Sequence, residues 1–136
     1  MSDASVKLRA AIHDALIANT GLNAVLGANK IFDVPQRQAQ FPYVTLGEMR
    51  LQNISADDAP LYEHQLTLHV WSREGGHKQA HLITGVLLSA LDDAALVITG
   101  HRLVNLRFTL ADIRREADGR TYHAVVRFRA VTEPSH

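Results

Sequence analysis

Leu61-Tyr62-Glu63-His64-Gln65-Leu66-Thr67-Leu68-His69-Val70-Trp71 is the stretch on which the fold turns. Tyr62, Leu66, Leu68 and Val70 alternate there with Glu63, Gln65, Thr67 and His69. Successive side chains of a strand point to opposite faces, so this period of two predicts a strand with one buried and one polar face. Upstream, Tyr43-Val44-Thr45-Leu46 opens another strand that runs to about Ile54, and a loop over 55–60 carries Asp57-Asp58. Downstream, Ser72 to Gly76 breaks the pattern. Ala80, Ile83, Thr84, Leu87, Ala90 and Leu91 then recur at helical spacing, which predicts a helix to about Asp93. A strand from His101 to about Arg114 is expected to bury Val104, Leu106, Phe108 and Leu110. Asp118-Gly119 is a hairpin turn, and a last strand from Thr121 to Val131 buries Tyr122, Ala124, Val126, Phe128 and Ala130.

Toward the N-terminus, Ala4, Leu8, Ala11, Ile12, Ala15 and Leu16 form one helical stripe over 3–18. Ser2 or Asp3 can cap its start, and Asn19-Thr20-Gly21 reads as its stop. A short turn from Leu22 to Leu26 ends at Gly27, and Ile31-Phe32 reads as a brief strand. The segment 33–42 is irregular, with two prolines, Gln36, Arg37, Gln38 and Gln40; a polar loop of that length inside a small domain is often functional. The order helix, strand, strand, helix, strand, strand predicts an α+β fold. One mainly antiparallel sheet of about four strands carries an N-terminal helix and a central helix on one face. The other face would hold Glu63, Gln65, Thr67, His69, Asn105, Arg107, Thr109, His123, Arg127 and Arg129. Such a face can meet water, or in an oligomer line a channel or meet a neighbour.

The chain has 136 residues, the length of one domain, so 1–136 is expected to fold as a single unit. Basic and acidic residues number 14 each, and this neutrality disfavours a protein that lives by gripping phosphate backbones. With no cysteine, disulfides and thiolate zinc sites are excluded. No apolar run approaches the roughly 18 residues that span a bilayer, and the start Met1-Ser2-Asp3-Ala4-Ser5 lacks a basic-then-apolar leader. The expectation is a protein made in the cytoplasm, with no membrane partner.

Eight histidines invite a metal. His77 and His81 share a helical face, but Lys78 stands where a metalloprotease places its glutamate base. Ser55, Ser72 and Ser89 lack the nucleophile elbow, and Gly75-Gly76 lacks the Lys-Ser/Thr of a phosphate loop. Asp57-Asp58 and Asp92-Asp93 fall where loops or helix ends are expected. No catalytic set, cofactor or metal is therefore predicted. Arg114, Arg115 and Arg120 cluster at the hairpin, with Asp112, Glu116 and Asp118 interleaved, and suit a protein partner. Trp71 falls by parity on the polar face, which favours an interface anchor over a core plug.

Three segments carry a resemblance: Val34-Pro35-Gln36 with Phe41-Pro42-Tyr43-Val44-Thr45-Leu46-Gly47-Glu48; His69-Val70-Trp71-Ser72-Arg73 with Gly75-Gly76 and the helix to Leu91; and Leu103-Val104, Asp118-Gly119 and Val126 to Glu133. In this order the chain resembles the phage and prophage tail-completion, or tail-terminator, family, which also occurs in gene transfer agents. The resemblance implies a structural protein without catalytic residues or cofactor. Its subunits form a ring, usually a hexamer, that caps the tail tube and joins it to the neck of the head. The implied partners are other copies of the chain, the major tail tube protein and a head-neck connector or adaptor, with DNA passing only as cargo. After assembly in the cytoplasm, the protein would sit in the particle where the tail meets the head. Gln36, Arg37, Gln38, Trp71, Arg114, Arg115 and Arg120 are the expected contact residues. Pro35, Pro42 and Gly47 are expected to fix backbone shape. The lumen of such rings is commonly acidic, whereas the polar face here carries Arg107, Arg127 and Arg129. The alternatives are another ring of the tail or neck, such as a tube subunit or adaptor, and a small histidine-using enzyme.

Overall fold

Leu8, Ile12 and Leu16 stand one above another at every fourth position and are fully buried, which makes the helix α1, Ala4–Ile17, a one-faced element. The computed structural model describes residues 3–34, 37–73 and 76–135. Asp3 occupies the N-cap position of α1, but its side chain makes no capping bond. Its carboxylate instead takes Lys7 and His101, so the expected cap is an ion-pair anchor to a distant strand. Asn19, read as a stop, is the N-cap of α2, Thr20–Leu26, where its side chain accepts the Leu22 N–H at 2.8 Å. Gly27 then ends α2 at φ 89°, a conformation that glycine adopts at no steric cost.

The strands are β1, Ile31–Phe32; β2, Tyr43–Asn53; β3, Tyr62–Ser72; β4, His101–Arg115; and β5, Tyr122–Pro134. They form one five-stranded sheet in the order β1-β2-β3-β5-β4. Every pairing is antiparallel except the short β1, which runs parallel to β2 through Ile31↔Val44 and Phe32↔Thr45. The expected count of about four strands rises to five because the two-residue β1 joins the same sheet. The α+β architecture is as the alternation predicts. Helix α3, Gly76–Leu91, turns Ala80, Ile83, Leu87 and Leu91 onto the sheet, where Leu66, Leu68, Val70, Val126 and Phe128 meet them in one core with α1 and α2.

The sequence pattern fails on β4. Leu106 is fully buried, but Val104 and Leu110 are 39% and 41% exposed. Register shifts fall between Leu103 and Asn105 and between Phe108 and Leu110. Each is a bulge that reverses the alternation of faces. Ala111 and Ile113 therefore lie opposite Val126 and Ala124, on the helix side, while Leu110 lies opposite Arg127. A third bulge, between Leu46 and Met49, sets Gly47 and Glu48 against Thr67.

The face without helices is less polar than predicted. Thr45, Thr67, His123, Val125 and Val131 on its inner strands are all buried. Two of the three arginines noted there are paired: Arg129 Nε donates to Glu63 at 2.6 Å and Arg107 Nε to Asp92 at 3.1 Å. No helix among the described residues is long and apolar enough to cross a membrane.

Candidate functional site: an aromatic and arginine cleft

One row of side chains crosses four strands on the face without helices. Tyr43 pairs with Trp71, Trp71 with His123, and His123 with Arg114. Because the row lies on one face, its rings stack. Trp71 lies 3.9 Å from the His123 ring, centroid to centroid, with the planes 10° apart. Tyr43 stands 6.3 Å from Trp71 on the other side, and Phe41 stands 5.1 Å from Tyr43. The Trp71 indole N–H donates to Thr45 Oγ1 at 3.2 Å, which satisfies its one polar group while the ring stays half-buried. Together with Thr121, Glu116 and Asp118, these residues line an open cleft at the hairpin end of the sheet.

The wall of the cleft is tied down by Arg73. Its guanidinium lies 4.2 Å over the Phe41 ring, its Nε donates to Thr121 Oγ1 at 3.1 Å, and Asp118 is 3.9 Å away. The segment 33–42 therefore reaches the β4–β5 hairpin through Phe41. Asp118 organises that hairpin. Its carboxylate accepts the Arg120 and Thr121 N–H groups at 2.9 and 2.8 Å and the Thr121 hydroxyl at 2.7 Å, with Gly119 at φ 72°. These bonds, led by the Thr121 hydroxyl, lower its pKa to about 2.

Glu116 and Asp118 are thus both engaged by groups of this chain, Asp118 by the hairpin and Glu116 by accepting from His123 Nδ1 at 2.7 Å. The sequence interleaves these carboxylates with the neighbouring arginines, an order in which they could pair. Instead Arg114, Arg115 and Arg120 stay exposed, and none is ion-paired among the described residues. Arg114 lines the cleft, whereas Arg115 lies opposite Tyr122 on the helix side. Neighbours on a strand cannot share a face, so the structure separates two residues that the sequence groups. Arg37 and Gln38 are exposed in a turn before Phe41, and Gln36 lies outside the described residues.

Beneath Trp71 runs a continuous chain of titratable groups. Glu48 Oε1 is 3.0 Å from His69 Nε2, and His69 Nδ1 is 2.7 Å from His123 Nε2. His123 Nδ1 reaches Glu116 to close it. The bond to His69 is the main influence holding the Glu48 carboxyl below its usual range, and burial is the main influence pushing His123 down. Phe41, Tyr43, His69, Arg73, Glu116 and His123 were not selected from the sequence. The faces of His69 and His123 were readable, but the proximity of all six depends on strand order and register, which were not.

Catalytic geometry is weaker. Ser5 Oγ lies 3.4 Å from His64 Nδ1, but His64 is fully buried and its other nitrogen bonds Thr132 Oγ1 at 2.9 Å. Burial lowers its pKa first, with His101 adding to the effect. It is a satisfied core histidine. His77 and His81 stand 6.4 Å apart, and among the described residues no group of three or more His, Asp or Glu is placed to hold a metal ion.

Comparison with known proteins bears on this geometry. The family model described as tail completion protein gp17 matches residues 10–133. A chain in the virion of a native gene transfer agent particle is 28% identical, with a TM-score of 0.89 over 98% of this chain and 99% of that one. The gp17 protein of bacteriophage SPP1 shares the fold at 23% identity, with a TM-score of 0.68 over 95% of this chain and 91% of that one. No curated protein matches the chain.

Proposed function

The chain belongs to the tail completion protein gp17 family, and from that premise we propose that it is a ring-forming tail terminator. In this reading residues 1–136 act as one domain, and six copies close a ring on the end of the tail tube. The ring stops tube growth and presents a surface to the neck of the head, with DNA passing through uncontacted. It assembles in the cytoplasm and ends in the particle, at the head-proximal end of the tail. It carries no cofactor and performs no chemistry.

The observation that carries the reading is the cleft of Phe41, Tyr43, Trp71 and Arg114. Aromatic and arginine side chains are the types that anchor protein interfaces, and here they sit on stiff strands beside guanidiniums that are unpaired among the described residues. We assign the cleft, the adjoining Arg37 and Gln38, and the tip at Arg120 to contacts with the tube, the neck or a neighbouring subunit. Arg115, on the other face, is assigned to a separate contact.

Electron microscopy of the purified chain mixed with tail tubes tests the assignment. Wild type is expected to leave single rings at tube ends, and Trp71→Ala or Arg114→Glu to reduce end occupancy at least tenfold, about 1.4 kcal/mol. Growth of long cylinders would make the protein a tube subunit instead. A chain that stays monomeric with tubes present would overturn the reading.

A further inference from the structure

The three contacts of the chain Glu48–His69–His123–Glu116 need one proton each, that is three protons. Two neutral imidazoles between two ionised carboxylates bring only two. If His69 Nε2–H donates to Glu48 and His123 Nδ1–H donates to Glu116, both rings turn bare lone pairs toward each other at 2.7 Å. A third proton, held between the rings, turns that repulsion into a charge-assisted bond. We propose that His69 and His123 form a one-proton latch under the cleft, closed when the chain holds three protons and open when it holds two.

The proposal rests on the cleft being the docking surface, because what the latch moves is its floor. His123 carries the stacked Trp71 ring, so parting the two imidazoles shifts the indole between Tyr43 and His123. The proton leaves to solvent and nothing else changes hands. Among the described residues, the charged groups facing the pair are Glu48 from β2; Arg127 from β5; Arg114 and Asp112 from β4; Glu116 and Asp118 from the turn; and Arg73 after β3. Among the described residues the helices pack on the opposite face, in the core. At His123 burial opposes the extra proton most, Glu116 favours it, and His69 and Arg114 add to the opposition. Burial is the largest influence on His123 and holds its imidazole below the ordinary range.

Long-range nitrogen-15 NMR of the full chain, from about pH 8 down to about pH 5, reads each ring nitrogen across the range in which histidines change charge. Trp71 is the only tryptophan, so its fluorescence reports the stack without interference. The expected result is one shared proton taken up in one step. His69 Nδ1 and His123 Nε2 shift together, and Trp71 emission falls in the same step as an imidazolium forms against it. Glu116→Gln keeps an acceptor but removes a charge, and should lower the midpoint by about one pH unit. Independent titration of the two rings, or a Trp71 signal that does not follow them, would overturn the latch. The docking assignment fails separately: Trp71→Ala and Arg114→Glu chains that cap tubes like wild type would remove it and leave the NMR result standing.

Discussion

A Cβ on Gly47 would lie 2.6 Å from the His69 imidazole, closer than any real side chain approaches. To move aside the ring would have to give up its bond to Glu48, 3.0 Å from Nε2. The bulge of β2 therefore needs glycine for space rather than for backbone freedom, and the Thr67 carbonyl at 3.0 Å closes the remaining side. Gly47→Ala is expected to cost about 1–3 kcal/mol by overpacking. Urea denaturation against wild type measures it, and a variant of unchanged stability would show that the ring yields.

Arg9 ties α1 to the same bulge. Its Nη1 donates to the Gly47 carbonyl at 2.8 Å, its Nη2 to the Leu46 carbonyl at 2.9 Å, and its Nε to Asp33 at 2.6 Å. Lysine has no fork that reaches three acceptors at once. Arg9→Lys should lose about 2 kcal/mol, from two charge-assisted bonds left unmade at a half-buried site. Thermal melting of the two proteins at one pH tests this.

His64 predicts how stability depends on pH. Its pKa is lowered by burial and by His101, so the unfolded chain takes up a proton near the ordinary value of 6.5 while the folded chain does not. The unfolded state then binds more protons, and stability must fall as pH drops below 6.5. Denaturant midpoints at pH 7 and pH 5, above the range in which carboxylates titrate, should show the decline. In His64→Gln the slope should be shallower, with His123 supplying the remainder. An unchanged slope would remove His64 as its source.

Asp118 acts in a separate, more acid window. Its pKa is depressed to about 2 from 3.8, so its contribution to the hairpin is complete above 3.8 and is lost as pH falls toward 2. Asp118→Asn is expected to melt earlier than wild type at neutral pH and to lose less on acidification. Melting curves from about pH 5 to about pH 2 span the change.

The bulges of β4 separate two leucines that the sequence treats alike. Leu106 is fully buried and Leu110 is 41% exposed. Leu106→Ala should cost about 2–5 kcal/mol by leaving a cavity. Leu110→Thr should stay within about 0.5 kcal/mol. Similar losses at both positions would mean that Leu110 is covered in solution, for example by another subunit.

What could be read from the sequence follows from what is local. The stripe of Leu8, Ile12 and Leu16 and the alternation of Leu66, Leu68 and Val70 are set by backbone geometry, so both elements were found. Asp118-Gly119 was found for the same reason, since turn chemistry lies within a few residues. Asn19 was read only as the stop of α1, which does end at Ile17; its second role as N-cap of α2 was missed, because a residue that ends one helix can begin the next. Val104 and Leu110 were misplaced because a bulge has no composition of its own.

By itself, then, the sequence determined the α+β class, the run of helices and strands, Trp71 on the face away from the helices, and a resemblance over most of the chain to a tail-completion family. Tertiary structure alone decided that Phe41, Trp71, Arg73, Arg114 and His123 share one cleft, that Arg115 does not, and that Glu48, His69, His123 and Glu116 form one chain. The physical reason is sequence separation. His69 and His123 are 54 residues apart, and only the pairing of β3 with β5 in one register brings their nitrogens to 2.7 Å. A shift of one residue would turn one ring to the other face.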